Sequence, residues 1–377
     1  MTLPEDTPDP FESGLLTVDL AALVANWRQL AAMAGDSRID CAAVVKADAY
    51  GLGQGPVTRA LATAGCRSFF VYNLAEGELA RSLTPEATIY VLDGVTPGAG
   101  DRLAAAGLRP VLGSLDEIDD WAATARALGR PLDAALHIDT GMNRFGLPAR
   151  EAGAAAARLA GCRAHVQLTL IMSHFISSQC VGAPINARQI VDFDAARRFF
   201  PGVPASMANS SAVFLPERPY YDLLRPGYAL YGGNPTVGPD NPMRPVAHLR
   251  VRILATREVA PGETAGYDAT WTAQRPSRLA TIGAGYADGV PVSASARADK
   301  PGGAAIVGGV RCPFVGRVSM DSIILDVTDA PLTAAHRGGW AELLGDSIGV
   351  DELARSAGVI GYEILTRLGR RYARRYV

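Results

Sequence analysis

The stretch LLRPGYALYG, residues 223–232, decides how the larger part of this chain is read. Its apolar run is the eighth in a series of short strand-like segments. The others fall at 41–46, 68–73, 88–92, 110–113, 134–139, 167–173 and 205–207, and the eighth spans 223–230. Between them lie alanine-rich segments with apolar residues at helical spacing, among them 20–34, 56–65, 115–128, 150–159 and 185–200. Alternation of this kind fits an open sheet or a barrel, and the eighth strand favours closure into a (β/α)8 TIM barrel.

Downstream, GGNPTVGPDNP (232–242) is a turn-rich linker. Beyond it helical periodicity fades and β-type runs at 249–255, 278–282, 305–307 and 322–327 are punctuated by glycine and proline. The expected fold class is therefore α/β: a barrel over residues 12–244, then a mainly-β domain over 245–377. With 48% hydrophobic and 20% charged residues and a formal net charge of -2, the 377-residue chain reads as an ordinary globular protein. It has no electrostatic footprint for nucleic acid or an anionic membrane. The first ten residues, MTLPEDTPDP, are acidic and proline-rich, unlike a signal peptide, and no apolar run reaches membrane-spanning length. A cytoplasmic location is expected. Five cysteines (Cys41, Cys66, Cys162, Cys180, Cys312) are scattered without CxxC spacing, which favours buried free thiols over a disulfide framework or a zinc site. Arg367, Arg370, Arg371, Arg374 and Arg375 form a basic run, read as a solvated or interface edge, with a role in holding phosphate as the lesser alternative.

A β/α barrel carries its chemistry at the C-terminal ends of its strands. There this chain places polar residues foreign to a core: Lys46 after CAAVV, Arg144 in HIDTGMNRFG (137–146), His174 in LIMSHF, Asn209 and Ser210 in SMANSS, and Arg225 and Gly227 in the opening stretch. A lone lysine at a strand end usually snorkels to the surface. A buried one is costly unless its charge is paired or lost, and condensation with an aldehyde solves that while exploiting a lowered pKa. Tyr50, beside Gly51 and Gly53, tips the balance toward a ligand, because its hydroxyl can donate to a phosphate oxygen. Loops after strands seven and eight are the usual phosphate site of such barrels, and Ser210 and Gly227 lie there.

Taken together, VVKADAYG (44–51), HIDTGMNRFG, MANSS, RPGYALYG, GYDATW (266–271), GYADG (285–289) and VSMD (318–321) resemble the motifs of bacterial alanine racemases, in the family's order and over almost the whole chain. The resemblance implies pyridoxal 5'-phosphate as cofactor, L- and D-alanine as substrates, and D-alanine supply as a peptidoglycan precursor. It also implies a homodimer with shared sites. Lys46 matches the lysine that carries the cofactor and works as one base, and Tyr267 the opposing base supplied by the partner subunit. Arg225 matches the arginine facing the pyridine nitrogen, Arg144 the one on the phenolic oxygen and substrate carboxylate, and His174 the histidine between Tyr267 and Arg225. Cofactor contacts also map to Tyr50, Asn209, Ser210, Gly227 and Tyr228, and Tyr286, Met320 and Asp321 to the substrate side. No metal is implied.

Some positions depart from that pattern. His137 stands where relatives have a lysine, often carbamylated, that buttresses the arginine matching Arg144, so His137 itself, an anion or another group must hold it. Ser206 replaces a histidine that supports Arg225, Leu52 replaces a histidine in the lysine loop, and Thr366 falls at a phosphate-binding tyrosine. Competing readings are a non-catalytic pyridoxal-phosphate carrier, which resembles the barrel alone, an amino-acid decarboxylase, which wants an acidic group at the pyridine nitrogen, and a racemase of broader specificity acting on serine or several amino acids.

Overall fold

Parallel strands of two to eight residues line up in chain order in the computed structural model, which describes residues 14–296 and 300–377. The chain separates into two compact units. One comprises Leu23–Leu230 and Asn234–Met243; the other takes residues 14–22, Tyr231–Gly233 and Arg244–Val377. The acidic N-terminal decapeptide and the expected domain start at residue 12 lie outside the described residues.

In the first unit the strands are Asp40–Cys41 with Ala43–Val44, then Ser68–Val71, Thr88–Val91, Arg109–Leu112, Leu132–Asp139, Val166–Met172, Ala205–Ser206 and Leu223–Leu224. Each is parallel to its neighbour through the seventh. The eighth closes the ring on the first, with Leu223 opposite Asp40 and Leu224 opposite Cys41. The seventh and eighth are joined by Asp222 N–H to the Ala205 carbonyl at 2.9 Å and Arg225 N–H to the Ala208 carbonyl at 2.8 Å. The expected TIM barrel is thus observed. Its eighth strand is shorter than expected. Pro226 lacks an N–H for the ladder, and the chain turns into a 3-10 helix at Tyr228–Tyr231, so residues 225–230 are not strand.

The expected helices form, for instance Leu115–Leu128 and Pro184–Arg197, together with two that helical spacing did not single out, Leu74–Leu83 and Gly100–Ala105. Side-chain caps start two of them: Asn73 accepts from Glu76 N–H, and Ser114 from Glu117 N–H. The barrel interior is filled by Ala42, Phe70, Tyr90, Val111, Ala135, Leu170, Met172 and Leu223, with Phe70 stacked on Tyr90 at 4.7 Å. Burying each large side chain contributes about 1.5–3 kcal/mol. This plug leaves only the strand ends free for chemistry.

The second unit is a closed antiparallel barrel. Ala247–Val259 pairs through its first half with Trp340–Leu344 and through its second half with Ser277–Ile282. The ring continues through Ile323–Asp326, Val310–Val315 and Ala304–Val307 back to Trp340–Leu344. Period-two alternation buries Leu249, Val251 and Ile253 while Arg250 faces outward. Gly14–Val18, preceding the first barrel in sequence, belongs here: it runs antiparallel to Ala247–Val259 and parallel to Ala373–Tyr376. Arg374 and Arg375 of the basic C-terminal run thus lie in a half-buried strand at the edge of this sheet. Helices Val350–Ala357 and Gly361–Thr366 complete the unit.

Candidate active site

The first strand ends at Val44, and Lys46 opens a turn that reverses the backbone's hand. Ala47, Asp48, Ala49 and Tyr50 all have φ between 53° and 55°. Such a run costs L-residues about 1–2 kcal/mol each. Local bonds hold it: Ala47 N–H donates to Glu76 Oε1 at 2.8 Å, Gln54 N–H to Asp48 Oδ1 at 2.7 Å, and Gln54 Nε2 to the Glu76 carbonyl at 2.8 Å. Glu76 also accepts from Tyr72 N–H at 2.7 Å. The lysine is thus tied to the end of the second strand. Glu76 escaped the sequence reading, although the Asn73-x-x-Glu76 spacing marks a helix start with a carboxylate free to reach back.

Burial and the Arg144 charge lower the Lys46 pKa, with Glu76 opposing them. The amine is thereby available as a nucleophile and base closer to neutrality. Tyr50, buried by the same turn, lies against Gly227: a Cβ at 227 would collide with the Tyr50 hydroxyl. Ser210 Oγ accepts from Gly227 N–H at 2.9 Å and Ala229 N–H at 3.1 Å. Hydroxyls and main-chain amides thus converge on one bare glycine after strands seven and eight, and Tyr228 is buried beside it. Asn209 orders the same loop, its Oδ1 accepting from Ser178 Oγ at 2.8 Å and Ala212 N–H at 3.0 Å.

Arg225 is 4% exposed. It donates from Nη1 to Ser206 Oγ at 2.5 Å and from Nη2 to the Ser173 carbonyl at 2.6 Å, and its guanidinium lies over the Phe70 ring at 5.8 Å. Burial lowers its pKa to about 9, which still leaves it charged at neutral pH. Ser206 passes the bond on by donating to the Leu223 carbonyl, so this serine itself supports Arg225. Gln189, fully buried on helix Pro184–Arg197, ties the loops beneath: its Nε2 donates to Thr140 Oγ1 and to the His174 carbonyl, both at 3.0 Å, and Thr140 bonds Ser173 Oγ at 2.8 Å.

His174 and His137 are held neutral. Burial is the main cause for each, followed by the Arg225 charge; His137 is lowered to about 4 and His174 lies well below its ordinary value. The His137 ring packs against Gly146, where a Cβ would meet it at 2.9 Å. Arg144 is exposed, makes no salt bridge among the described residues, and acts electrostatically on Lys46, His137 and His174. Two arginines and a lysine therefore face two neutral imidazoles, a setting suited to a phosphorylated, anionic ligand.

The remaining predicted residues lie in the second unit. Tyr267, 67% exposed, starts a 3-10 turn that Gly266 (φ 78°) permits and that an Arg317–Asp268 ion pair fastens. Tyr286, Met320 and Asp321 come together, because Tyr286 N–H donates to the Ser319 carbonyl and Ala287 N–H to the Met320 carbonyl, both at 3.0 Å. Asp288, which nothing in the sequence singled out, and Arg371, expected only as part of a basic edge, fasten that group. Thr366 spends its hydroxyl on the Tyr362 carbonyl at 2.8 Å within its own helix. Cys41, Cys66, Cys162 and Cys312 are buried, but Cys180 is exposed, which corrects the expectation of five buried thiols. Among the described residues no helix is long and apolar enough to cross a membrane.

Comparison with known proteins agrees with this geometry. The family model for the alanine racemase N-terminal domain matches residues 18–235, and that for the alanine racemase C-terminal domain matches residues 246–376. The chain belongs to the alanine racemase family. Membership makes it an enzyme of the isomerase class and sets aside the carrier reading, which has no counterpart of the second domain. An alanine racemase of Methylobacterium nodulans is 54% identical over 363 residues, covering 96% of this chain and 95% of the relative. The crystal structure of alanine racemase from Bartonella henselae with covalently bound pyridoxal phosphate superposes with a TM-score of 0.89 at 35% identity, over 97% of this chain and 99% of that one. A biosynthetic alanine racemase from Pseudomonas aeruginosa gives the same TM-score at 34% identity, over 97% of this chain and 100% of that one.

Proposed function

We propose that this chain is a pyridoxal-phosphate-dependent alanine racemase that exchanges the Cα proton between two bases, Lys46 and the Tyr267 of a second copy. The single observation that carries the reading is the Lys46 amine, its proton affinity lowered by burial and by Arg144, standing at one strand end of a barrel whose neighbouring ends carry the Tyr50–Gly227–Ser210 cradle and Arg225.

The donor set fits the cofactor. A bare glycine edged by two hydroxyls takes the phosphate, with Tyr228 and Asn209 beside it, and the buried Arg225 accounts for the ring nitrogen. When bound at Lys46, the cofactor supplies an electron sink that acidifies the substrate's Cα–H. The chain's own groups do the rest. Lys46 Nζ takes or returns the proton on one face, and the Tyr267 hydroxyl of the second copy does so on the other. Inversion demands both, since one base cannot reach two faces of a planar centre. Arg225 keeps its own proton, as guanidinium does, and hands none to the ring nitrogen. Ser206 and the Ser173 carbonyl hold it in place. Arg144 orients the phenolic oxygen and the substrate carboxylate, His174 links Tyr267 to Arg225, and Tyr286, Met320 and Asp321 line the way in. The same reading makes the protein a cytoplasmic homodimer with shared sites, providing D-alanine as a peptidoglycan precursor.

The test is the visible absorption of the purified protein, followed by polarimetry of L-alanine, D-alanine and L-serine with wild type, Lys46→Ala and Tyr267→Phe. The expected result is a cofactor band, racemisation of alanine, and loss of at least about 100-fold in each variant. Racemisation surviving in Lys46→Ala overturns the mechanism, and turnover of serine alone overturns the substrate.

A further inference from the structure

Arg371 lies in the basic run near the C-terminus, and each nitrogen of its guanidinium donates a hydrogen bond to a carboxylate. Nε and Nη2 donate to the two carboxylate oxygens of Asp288 at 2.7 and 2.8 Å, and Nη1 donates to Asp321 Oδ1 at 2.7 Å. The Asp288 side chain is 4% exposed, and its Oδ2 also accepts from Gly285 N–H at 3.0 Å. Gly285 has no room for a side chain, because a Cβ there would run into the Ser319 and Met320 carbonyls. Gly369 N–H closes the group by donating to the Asp288 carbonyl at 3.0 Å. Residues 285–289, 318–321 and 369–371 are therefore one block with Arg371 at the junction.

We propose that Arg371 is a positioning residue for substrate: it locks the turn bearing Tyr286 to the turn bearing Met320 and Asp321, and neutralises Asp321 so that this face admits an amino acid's carboxylate. The inference rests on the proposed substrate role of those three residues. Its physical basis is the planar fork of arginine, which bridges three oxygens on two carboxylates at fixed angles, as the single ammonium of lysine does not. Without the fork, the exposed carboxylate of Asp321 repels an incoming carboxylate, and the two turns lose their common anchor. A group acting on substrate approach changes KM, whereas one acting on the proton exchange changes kcat.

The experiment uses the cofactor-loaded full-length enzyme with Arg371→Gln, Arg371→Lys, Asp321→Asn and the double variant Arg371→Gln/Asp321→Asn. Kinetics with alanine are accompanied by the inhibition constant of propionate, which is the substrate's carbon skeleton without its amine, and by far-ultraviolet circular dichroism and cofactor content. Arg371→Gln is expected to raise KM about tenfold or more with kcat within about threefold. Arg371→Lys falls between, and adding Asp321→Asn to Arg371→Gln recovers much of the KM because the repelling carboxylate is gone. Propionate inhibition follows KM. A fall in kcat at unchanged KM, or no recovery in the double variant, overturns the proposal. Should Arg371→Gln fail to fold, Arg371→Lys decides, and a wild-type KM there counts against the fork. If the wild type racemises no amino acid, the functional reading fails by itself, and propionate affinity still separates Arg371→Lys from wild type.

Discussion

Arg225 is a buried cation whose guanidinium donates to a hydroxyl and a carbonyl, and its charge adds to burial in keeping the neighbouring imidazoles neutral. Ser206→Ala leaves Nη1 and the Leu223 carbonyl without their shared partner, so a loss of about 1–3 kcal/mol is expected in urea unfolding; an unchanged midpoint would show that Ser206 does not support Arg225. The two imidazoles set a pH dependence. His137, lowered to about 4, and His174, held well below its ordinary value by burial, are neutral in the folded protein, whereas in the unfolded chain they protonate at about 6.5. Between those values the unfolded chain binds more protons, so stability is complete above about pH 6.5 and declines as pH falls toward about 4. Each imidazole contributes at most about 1.4 kcal/mol per pH unit in that window. Urea titrations across it should show the decline, and His137→Gln should flatten it. Lys46, Arg225 and Gly227 were legible in the sequence because their residue types are wrong for the place they occupy. Glu76, Gln189, Asp288 and Arg371 were not. A polar residue on a helix or turn is ordinarily solvated, and their partners lie far along the chain, Ala47 being 29 residues from Glu76 and Asp288 83 from Arg371.

Among the elements, the left-handed turn at Lys46–Tyr50 is the one that propensity opposes most. Its strain sits beside the reactive amine, where the Glu76 and Asp48 bonds over-determine the backbone. Ala47 is exposed with φ 53°, so Ala47→Gly relieves strain without emptying the core. The expected outcome is a gain of up to about 1 kcal/mol, seen as a higher Tm, together with lower activity as the lysine loosens; a lower Tm would refute the argument. The barrel strands were readable because apolar runs punctuated by polar ends are what a buried parallel strand requires. The eighth was overextended, since 225–230 keeps an apolar composition after Pro226 has ended the ladder. Strand Gly14–Val18 was missed because nothing in five residues says that they pair with Ala247–Val259 rather than with their neighbours in sequence.

For the molecule as a whole, shared sites make a prediction that no single chain can meet. Lys46→Ala and Tyr267→Phe, each nearly inactive, should complement when unfolded together and refolded, because a mixed dimer holds one site with both bases. Random pairing restores about a quarter of wild-type activity, and absence of any recovery would count against bases drawn from two subunits. The order of strands, the eightfold alternation, the change to β structure after residue 242 and the positions of the lysine, arginines and glycines were written in the sequence, because periodicity and misplaced polarity record which face a residue must show. Closure of the second ring, the left-handed hand of the lysine turn, the bonds by which Ser206 ties Arg225 to the Leu223 carbonyl and the capture of Asp321 by Arg371 belong to the tertiary structure alone. They depend on which distant segments meet, and a residue's type specifies the environment it needs without naming the partner that provides it.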